Sequence, residues 1–311
     1  MSSEEKNKPK YSVVICTYNR AASLCRALQS MAAQQFDASR FEVVIVDNNS
    51  SDDTEEQVAD FIQNNPGLQV RYFKESNAGV SYARNRGVRE SQGEYIVFLD
   101  DDETVWNDFL SHLDAFFKAY PHALLCAEPV VPLYEGTPPH WLSPYTEAML
   151  TGAYHKGEHV KYLKTSDYPG TGHATFKREL FFKYGDFNTG LGRKGSSLLG
   201  GEDKDFFLRL INNGVTCYYV PEATIFHHIP SHKLTDEFFD KLTFSIGQSE
   251  RLRTKNISRP AYYKRIASEV IKWGGTLTLS VYYLMQGQSH KGHKLIQFRA
   301  NVTKGLMTRG G

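Results

Sequence analysis

The sequence predicts an α/β protein built on a mainly parallel sheet with helices on both faces. Three observations carry that expectation. Short apolar runs rich in β-branched residues alternate with segments of helical spacing over residues 11–99. The runs are mostly apolar on both faces, as strands covered on both sides are. Each run then stops in a polar cluster, at the edge where parallel sheets bind their ligands.

The elements follow in order. "YSVVIC" (11–16) reads as a strand and "TYNR" as the loop after it. "SLCRALQSMAAQ" (23–34) has Leu24, Leu28 and Met31 on one helical face, with Ser23 as its N-cap. "FEVVIVD" (41–47) is a second buried strand, closed by "NNSSDDT". "EEQVADFIQNN" is a helix that stops before Pro66 and Gly67. "VRYF" (70–73) is a third strand, "GVSYARNRGVRESQG" a helix with a glycine stop, and "YIVFL" a fourth strand. One further strand is expected within 123–133, then a long loop or lid rich in Pro, Gly and aromatics. "GTGHATFKRELFFKYG" (170–185) reads as a strand entering a helix. "GLGRKGSSLLGGEDKDFFLRLINNG" reads as a glycine-rich loop running into an amphipathic helix that stops at Gly214. "VTCYYV" (215–220) and "ATIFHHIP" (223–230) are short apolar runs, and after about residue 231 the pattern turns helical and basic.

Length and composition fit a globular chain, 311 residues with 41% hydrophobic and 23% charged. A net charge of +1 carries no nucleic-acid signature, but its distribution is uneven. Residues 254–311 hold ten Lys or Arg against one acid, Glu269, so the remainder is net negative. A basic segment of this kind suits an anionic partner. Cys16, Cys25, Cys126 and Cys217 lack metal-site or redox spacing. The N-terminal "MSSEEKNKPK" has no apolar core of a secretory signal, and no apolar run reaches spanning length. The expected setting is therefore reducing and cytoplasmic, peripheral to the inner face of the cell membrane if the basic segment binds it. The stretch from Ile271 to Met285 is short and interrupted by Gly274–Gly275, so it is expected to lie in the membrane interface or to pack on the protein.

The most informative stretch is "YIVFLDDDETV" (95–105), a buried strand that ends in Asp100, Asp101, Asp102 and Glu103. Four adjacent carboxylates repel unless a cation sits among them. Carboxylates clustered at a strand end cradle hard divalent cations; the ordinary alternative is an acidic turn before a helix. There is no Walker loop and no GxGxxG fingerprint, so a nucleotide would be held otherwise. Tyr18 could stack on a base, Asp47 could accept from a base N–H, and Arg84 could reach a diphosphate. In "GGEDKDF", Glu202 and Asp203 open a helix behind flexible glycines, where a general base could stand over a reaction centre. His227 and His228 in "FHHIPSH" face opposite sides of a strand, so at most one reaches a site on one face.

Taken in series, "VVICTYNRAASLCRALQS", "EVVIVDNNSSDDT", "NAGVSYARNRGV", "GEYIVFLDDDETV" and "GGEDKDFFLRL" resemble the inverting glycosyltransferase family 2, of bacterial envelope or surface polysaccharide type, over about residues 10–230. The resemblance implies the GT-A fold, a Rossmann-like mixed sheet that is mainly parallel. It implies donor-loop roles for Thr17, Tyr18 and Arg20, base contact for Asp47, and positions near the diphosphate for Asn77 and Arg84. Asp100, Asp101 and Asp102 match the DXD motif, with Asp100 and Asp101 near ribose and sugar and the metal chiefly on Asp102. Asp203 matches the catalytic base and Glu202 an acceptor or sugar contact. His228, or else His227, matches a downstream histidine that completes the metal or diphosphate site. Residues 134–168 align with no motif, and acceptor choice resides there in this family.

The expected organisation is a disordered N-terminus (1–9), a GT-A domain (10–230) and a helical, membrane-associating extension (231–311). The expected activity is Mn²⁺- or Mg²⁺-dependent hexosyl or N-acetylhexosaminyl transfer, with inversion, from a UDP-sugar to a hydroxyl of a glycan or lipid-linked glycan. Alternatives are a dTDP- or GDP-sugar donor, a non-catalytic nucleotide-sugar or glycan binder, or a scaffold in a polysaccharide assembly complex. Expected partners are the donor, the acceptor, an anionic membrane through 254–311 and, as an alternative, a second copy of the chain.

Overall fold

Why the first strand sits at the middle of a sheet follows from its side chains. In the computed structural model, which describes residues 8–195 and 197–308, Tyr11, Val13 and Ile15 enter one apolar core and Val14 enters another. Alternation along an extended chain sends neighbours to opposite faces, so a strand with apolar residues on both faces needs cover on both. The expected disordered segment 1–9 lies, up to residue 7, outside the described residues.

The first half is regular: β1 (Tyr11–Thr17), α1 (Ala21–Ala32), β2 (Phe41–Asp47), α2 (Thr54–Asn64), β3 (Gln69–Lys74), α3 (Val80–Glu90) and β4 (Tyr95–Asp100). Next come β5 (Glu103–Val105), α4 (Phe109–Ala119), β6 (Leu125–Ala127), β7 (Val130–Tyr134), α5 (Pro144–Thr151), β8 (Lys161–Tyr162), β9 (Ala174–Lys177) and α6 (Glu179–Tyr184). The chain closes with α7 (Glu202–Asn212), β10 (Tyr218–Tyr219), β11 (Ile225–Ile229), α8 (Asp236–Ile257), α9 (Arg259–Met285) and α10 (Ser289–Met307).

The large sheet has the order β3-β2-β1-β4-β9-β6-β10-β8. Its first four strands are parallel, whereas β9 runs antiparallel to both β4 and β6. The chain moves outward from β1 to β3 and then returns to lay β4 on the other side of β1. The connection therefore reverses between β1 and β4, and an open α/β sheet leaves a ligand crevice beyond the strand ends at such a point. A smaller sheet has the order β5-β11-β7.

Helix α3 lies close on the sheet because a Cβ at Gly87 would come within 2.3 Å of Val14 Cγ1. Gly87→Ala should therefore lower stability by about 1–3 kcal/mol through overpacking. Urea denaturation checks this, and an unchanged midpoint would mean that α3 can lift without cost.

Several local expectations are corrected. Helix α1 begins at Ala21, ahead of Ser23, because Asp52 Oδ2 accepts from the Ala21 N–H at 3.2 Å and caps it from a distant loop. Helix α3 ends before its glycine: the Ser91 N–H and hydroxyl both return to the Gly87 carbonyl. Two strands, β6 and β7, replace the one expected within 123–133. The expected long loop contains α5, started by a capping box between Ser143 and Thr146 with Pro144 in the first turn. Helix α9 passes through Gly274–Gly275 uninterrupted, since a 27-residue helix absorbs the roughly 1 kcal/mol cost of each glycine.

The described chain forms two compact units with interleaved segments. One comprises Met1–Val131, Tyr154–Thr189 and Asp203–His228; the other comprises Pro132–Ala153, Gly190–Glu202 and Ile229–Gly311. In the second, Trp141, Leu150, Phe239 and Leu242 form the core, with Phe298 packed against it. A Cβ at Gly247 would meet the Val302 carbonyl at 2.1 Å, and one at Gly305 the Phe244 carbonyl at 2.1 Å. Glycines on both helices thus let the backbones of α8 and α10 approach closely. Among the described residues, no helix is long and apolar enough to cross a membrane.

Candidate functional site

The carboxyl ends of β1 and β4 meet through side chains. Thr17, the last residue of β1, donates its hydroxyl to Asp101 Oδ2 at 2.8 Å, across the point where the connection reverses. Asp100 ends β4, and its N–H donates to Glu103 Oε2 at 2.9 Å, which folds the acidic stretch into a tight turn.

The repulsion among these acids is met by the protein's own cations. Arg20 Nη1 reaches Asp101 Oδ1 at 2.9 Å and Asp102 Oδ2 at 3.0 Å. Arg84 extends from α3 to Asp100 Oδ1 at 3.4 Å and Asp203 Oδ1 at 2.7 Å. Burial disfavours the charged form of the two innermost acids. Burial pushes the Asp101 carboxyl up to about 6, against the opposing pull of Arg20. Burial, then Asp100, raises Glu103 well above the carboxylate range. Burial opposes the charge on Arg20, but Asp101 and Asp102 outweigh it and keep the guanidinium charged.

Asp203 lies in the first turn of α7 and accepts from Arg84 and from the Thr171 hydroxyl. Thr171 belongs to the "GTGH" turn ahead of β9, which no local motif links to the site. A Cβ at Gly172 would lie 2.6 Å from Asp100 Cγ, so this turn needs a residue without a side chain to pass between Asp100 and Asp203. His173 follows, its Nε2 accepting from the Gly170 N–H at 2.9 Å. Burial lowers its pKa to about 4 despite Asp203 and Asp100, so the ring is neutral at pH 7.

The remaining expected residues are distributed as follows. Asp47 is buried, accepting from the Ser50 N–H at 2.8 Å and the Tyr72 hydroxyl at 2.6 Å. Tyr18 is exposed beside Thr17. Asn77 bonds Glu75 Oε1 through both backbone and side-chain N–H. Glu202 is buried at the start of α7 and falls in the second unit. The His227 imidazole stands beside Asp102, its Nε2 3.4 Å from Asp102 Oδ1, and the His228 backbone N–H donates to the Asp102 carbonyl at 2.9 Å. His228 Nε2 lies 3.1 Å from Thr104 Oγ1.

Among the described residues no group of three or more His, Cys, Asp or Glu could by itself hold a metal ion. Asp102 and His227 nevertheless form a two-donor set next to the crevice. A hard divalent cation bound alongside a phosphate ligand needs only one or two protein donors, because phosphate and water oxygens complete its shell. The donor set fits such an ion.

A parallel sheet whose reversal point gathers acids, two arginines and a carboxylate-bearing helix start forms a polar edge where an α/β fold can take a ligand. The chain belongs to glycosyl transferase family 2, whose family model matches residues 12–184. It is 26% identical over 251 residues to the glucosyl-dolichyl phosphate glucuronosyltransferase of Haloferax volcanii, covering 78% of this chain and 77% of that one. Among solved structures it resembles the mannosyltransferase PcManGT from Pyrobaculum calidifontis in complex with GDP-Man and Mn²⁺, with TM-score 0.61, 16% identity and coverage of 95% and 87%. It also resembles S. aureus TarS 1–349 in complex with UDP-GlcNAc, with TM-score 0.58, 17% identity and coverage of 95% and 90%. The protein is thus a glycosyltransferase, and these structural likenesses establish its fold.

Proposed function

We propose that the protein transfers a hexosyl or N-acetylhexosaminyl group, with inversion, from a UDP-sugar to a hydroxyl of a glycan or lipid-linked glycan. The observation that carries the reading is Arg84, which ties Asp203 and the strand-end Asp100 to one edge of the sheet. That brings a base for the acceptor within reach of the acids that would hold the donor. The UDP-sugar of TarS supports the donor class, and the dolichyl phosphate in the name of the Haloferax relative supports a lipid-linked acceptor.

Each residue then has a task. Tyr18 stacks on the base and Asp47 shapes the loop that receives it. Thr17 and Arg20 hold Asp101 in place as the donor enters. Asp100 and Asp101 face the ribose and sugar, and Asn77 lines the approach to the diphosphate. Arg84 orients Asp203, which takes the acceptor proton while the hydroxyl oxygen attacks the anomeric carbon and the diphosphate leaves from the opposite face. One base and one displacement invert the anomeric centre. Glu202 contacts acceptor or sugar hydroxyls. Asp102, with His228 or else His227, would hold Mn²⁺ or Mg²⁺, and such an ion would offset negative charge on a departing diphosphate. Residues 10–230 carry this reaction, and residues 231–311 attach the enzyme to an anionic membrane from the cytoplasmic side.

A thermal-shift titration with UDP, GDP and dTDP, each with Mn²⁺ and with EDTA, tests the donor. A nucleotide at about a hundred times its dissociation constant should add roughly 2.7 kcal/mol of stability. The expected result is a Mn²⁺-dependent shift with UDP. A shift with GDP or dTDP alone would reassign the donor, and no shift with any of them would reject the reading.

A further inference from the structure

Helix α9 has its polarity inside out. Tyr263, Val270, Ile271, Leu277, Val281 and Met285 fall within roughly 120° of one another around the helix axis, and all six face solvent. Ile271 is 80% exposed, Val270 75% and Met285 73%. The stripe runs for roughly 33 Å at 1.5 Å per residue. Opposite it, the inward face is polar. Glu269, only 3% exposed, binds Arg265, Arg299 Nη1 at 3.3 Å and Thr303 Oγ1 at 3.2 Å. Arg265 Nε also reaches Glu250 Oε2 at 3.0 Å, and the Ser280 hydroxyl donates to the Gly292 carbonyl at 3.0 Å. A surface helix ordinarily buries its apolar face. Here hydrogen bonds and ion pairs hold the helix to α8 and α10, and its apolar face is left outward.

The surrounding charge indicates what covers the stripe. Glu269 is the only acid in residues 254–311, and it is used internally. Lys255, Arg259, Lys264 and Lys304 are exposed. Lys264 lies at the edge of the stripe, and Lys255 and Arg259 lie just before its N-terminal end. A second copy laid on the stripe would bring two such cationic sets together with no acid from this segment between them. An anionic bilayer surface supplies both a solvent for the apolar stripe and counter-charges for the lysines and arginines, whose stems can reach back to the headgroups. Exposed Tyr263 and Tyr282 suit the headgroup level.

We infer that the outward face of α9 is a bilayer-docking surface, lying in the plane of an anionic membrane interface with its apolar stripe below the headgroups. This deepens the transferase reading, on which its meaning for the acceptor rests: docking would hold the enzyme at the surface where a lipid-linked acceptor is presented.

Co-sedimentation of the full chain with vesicles tests it, comparing phosphatidylcholine alone with an equimolar mixture of phosphatidylcholine and phosphatidylglycerol. The expected result is pelleting with the mixed vesicles, weakened by salt, and a loss of at least about tenfold in the double variant Ile271→Asp/Val281→Asp. Both positions are exposed, so the variant should keep the melting temperature and the nucleotide-induced shift of the native chain. Undiminished pelleting of the variant would overturn the inference. So would a native chain that stays in the supernatant, and if sedimentation velocity then shows a dimer lost in the variant, the stripe belongs to a second copy. Normal pelleting without any nucleotide shift would sink the transferase reading and leave the docking surface standing.

Discussion

Asp203→Asn is expected to lower transfer by about 10²- to 10⁴-fold, the usual contribution of a positioned general base, while donor affinity changes little. The amide is nearly the same size and still accepts from Thr171 and Arg84, so the local shape is preserved. What it loses is the capacity to take a proton. Arg84 does not become an uncompensated buried charge, because Asp100 remains 3.4 Å away. The measurement pairs steady-state transfer to an acceptor with calorimetric titration of the nucleotide. Turnover close to that of the native enzyme would remove Asp203 from the base role; equal loss of turnover and donor binding would make it a donor-site residue.

Asp102→Asn is expected to abolish the part of nucleotide stabilisation that depends on Mn²⁺ and to leave the EDTA value nearly unchanged. A hard cation prefers an anionic oxygen, and the amide supplies only a neutral one. Arg20 keeps its contact with Asp101, so the turn should hold. The histidines sharpen the test. His227→Gln should weaken the Mn²⁺ response, because its ring nitrogen lies 3.4 Å from Asp102, and His228→Gln compares the neighbouring ring. If Asp102→Asn responds to Mn²⁺ as the native chain does, the ion is held elsewhere. If His228→Gln is the variant that fails, the assignment between the two rings is reversed.

The sequence by itself determined the parallel half of the sheet and the polar edge along which the candidate residues lie. That information is local. Continuous β-branched runs dictate strands buried on both faces, and "FEVVIVD" is a strand over the same seven residues in the structure. The succession of motifs likewise identified the family. Short strands were harder to place: "VTCYYV" yields only β10 at Tyr218–Tyr219, because pairing partners set a strand's length and its own propensity does not.

Only the tertiary structure decided which side chains meet. The acids after β4 suggested a cation among them, and the fold supplies Arg20 and Arg84 from other elements. Thr171 and Gly172 reach the site because β9 pairs antiparallel with β4, a long-range pairing that no local pattern encodes. Alternation limited the histidine pair to one ring per face, and the antiparallel register of β11 on β5, with His227 opposite Glu103, brings the His227 ring beside Asp102. The same holds for α9. Its composition announced a basic, aromatic helix, yet the polar contacts with α8 and α10 determine which face is left outward. Periodicity describes the faces of an element, and the free energy of packing selects the one that is buried.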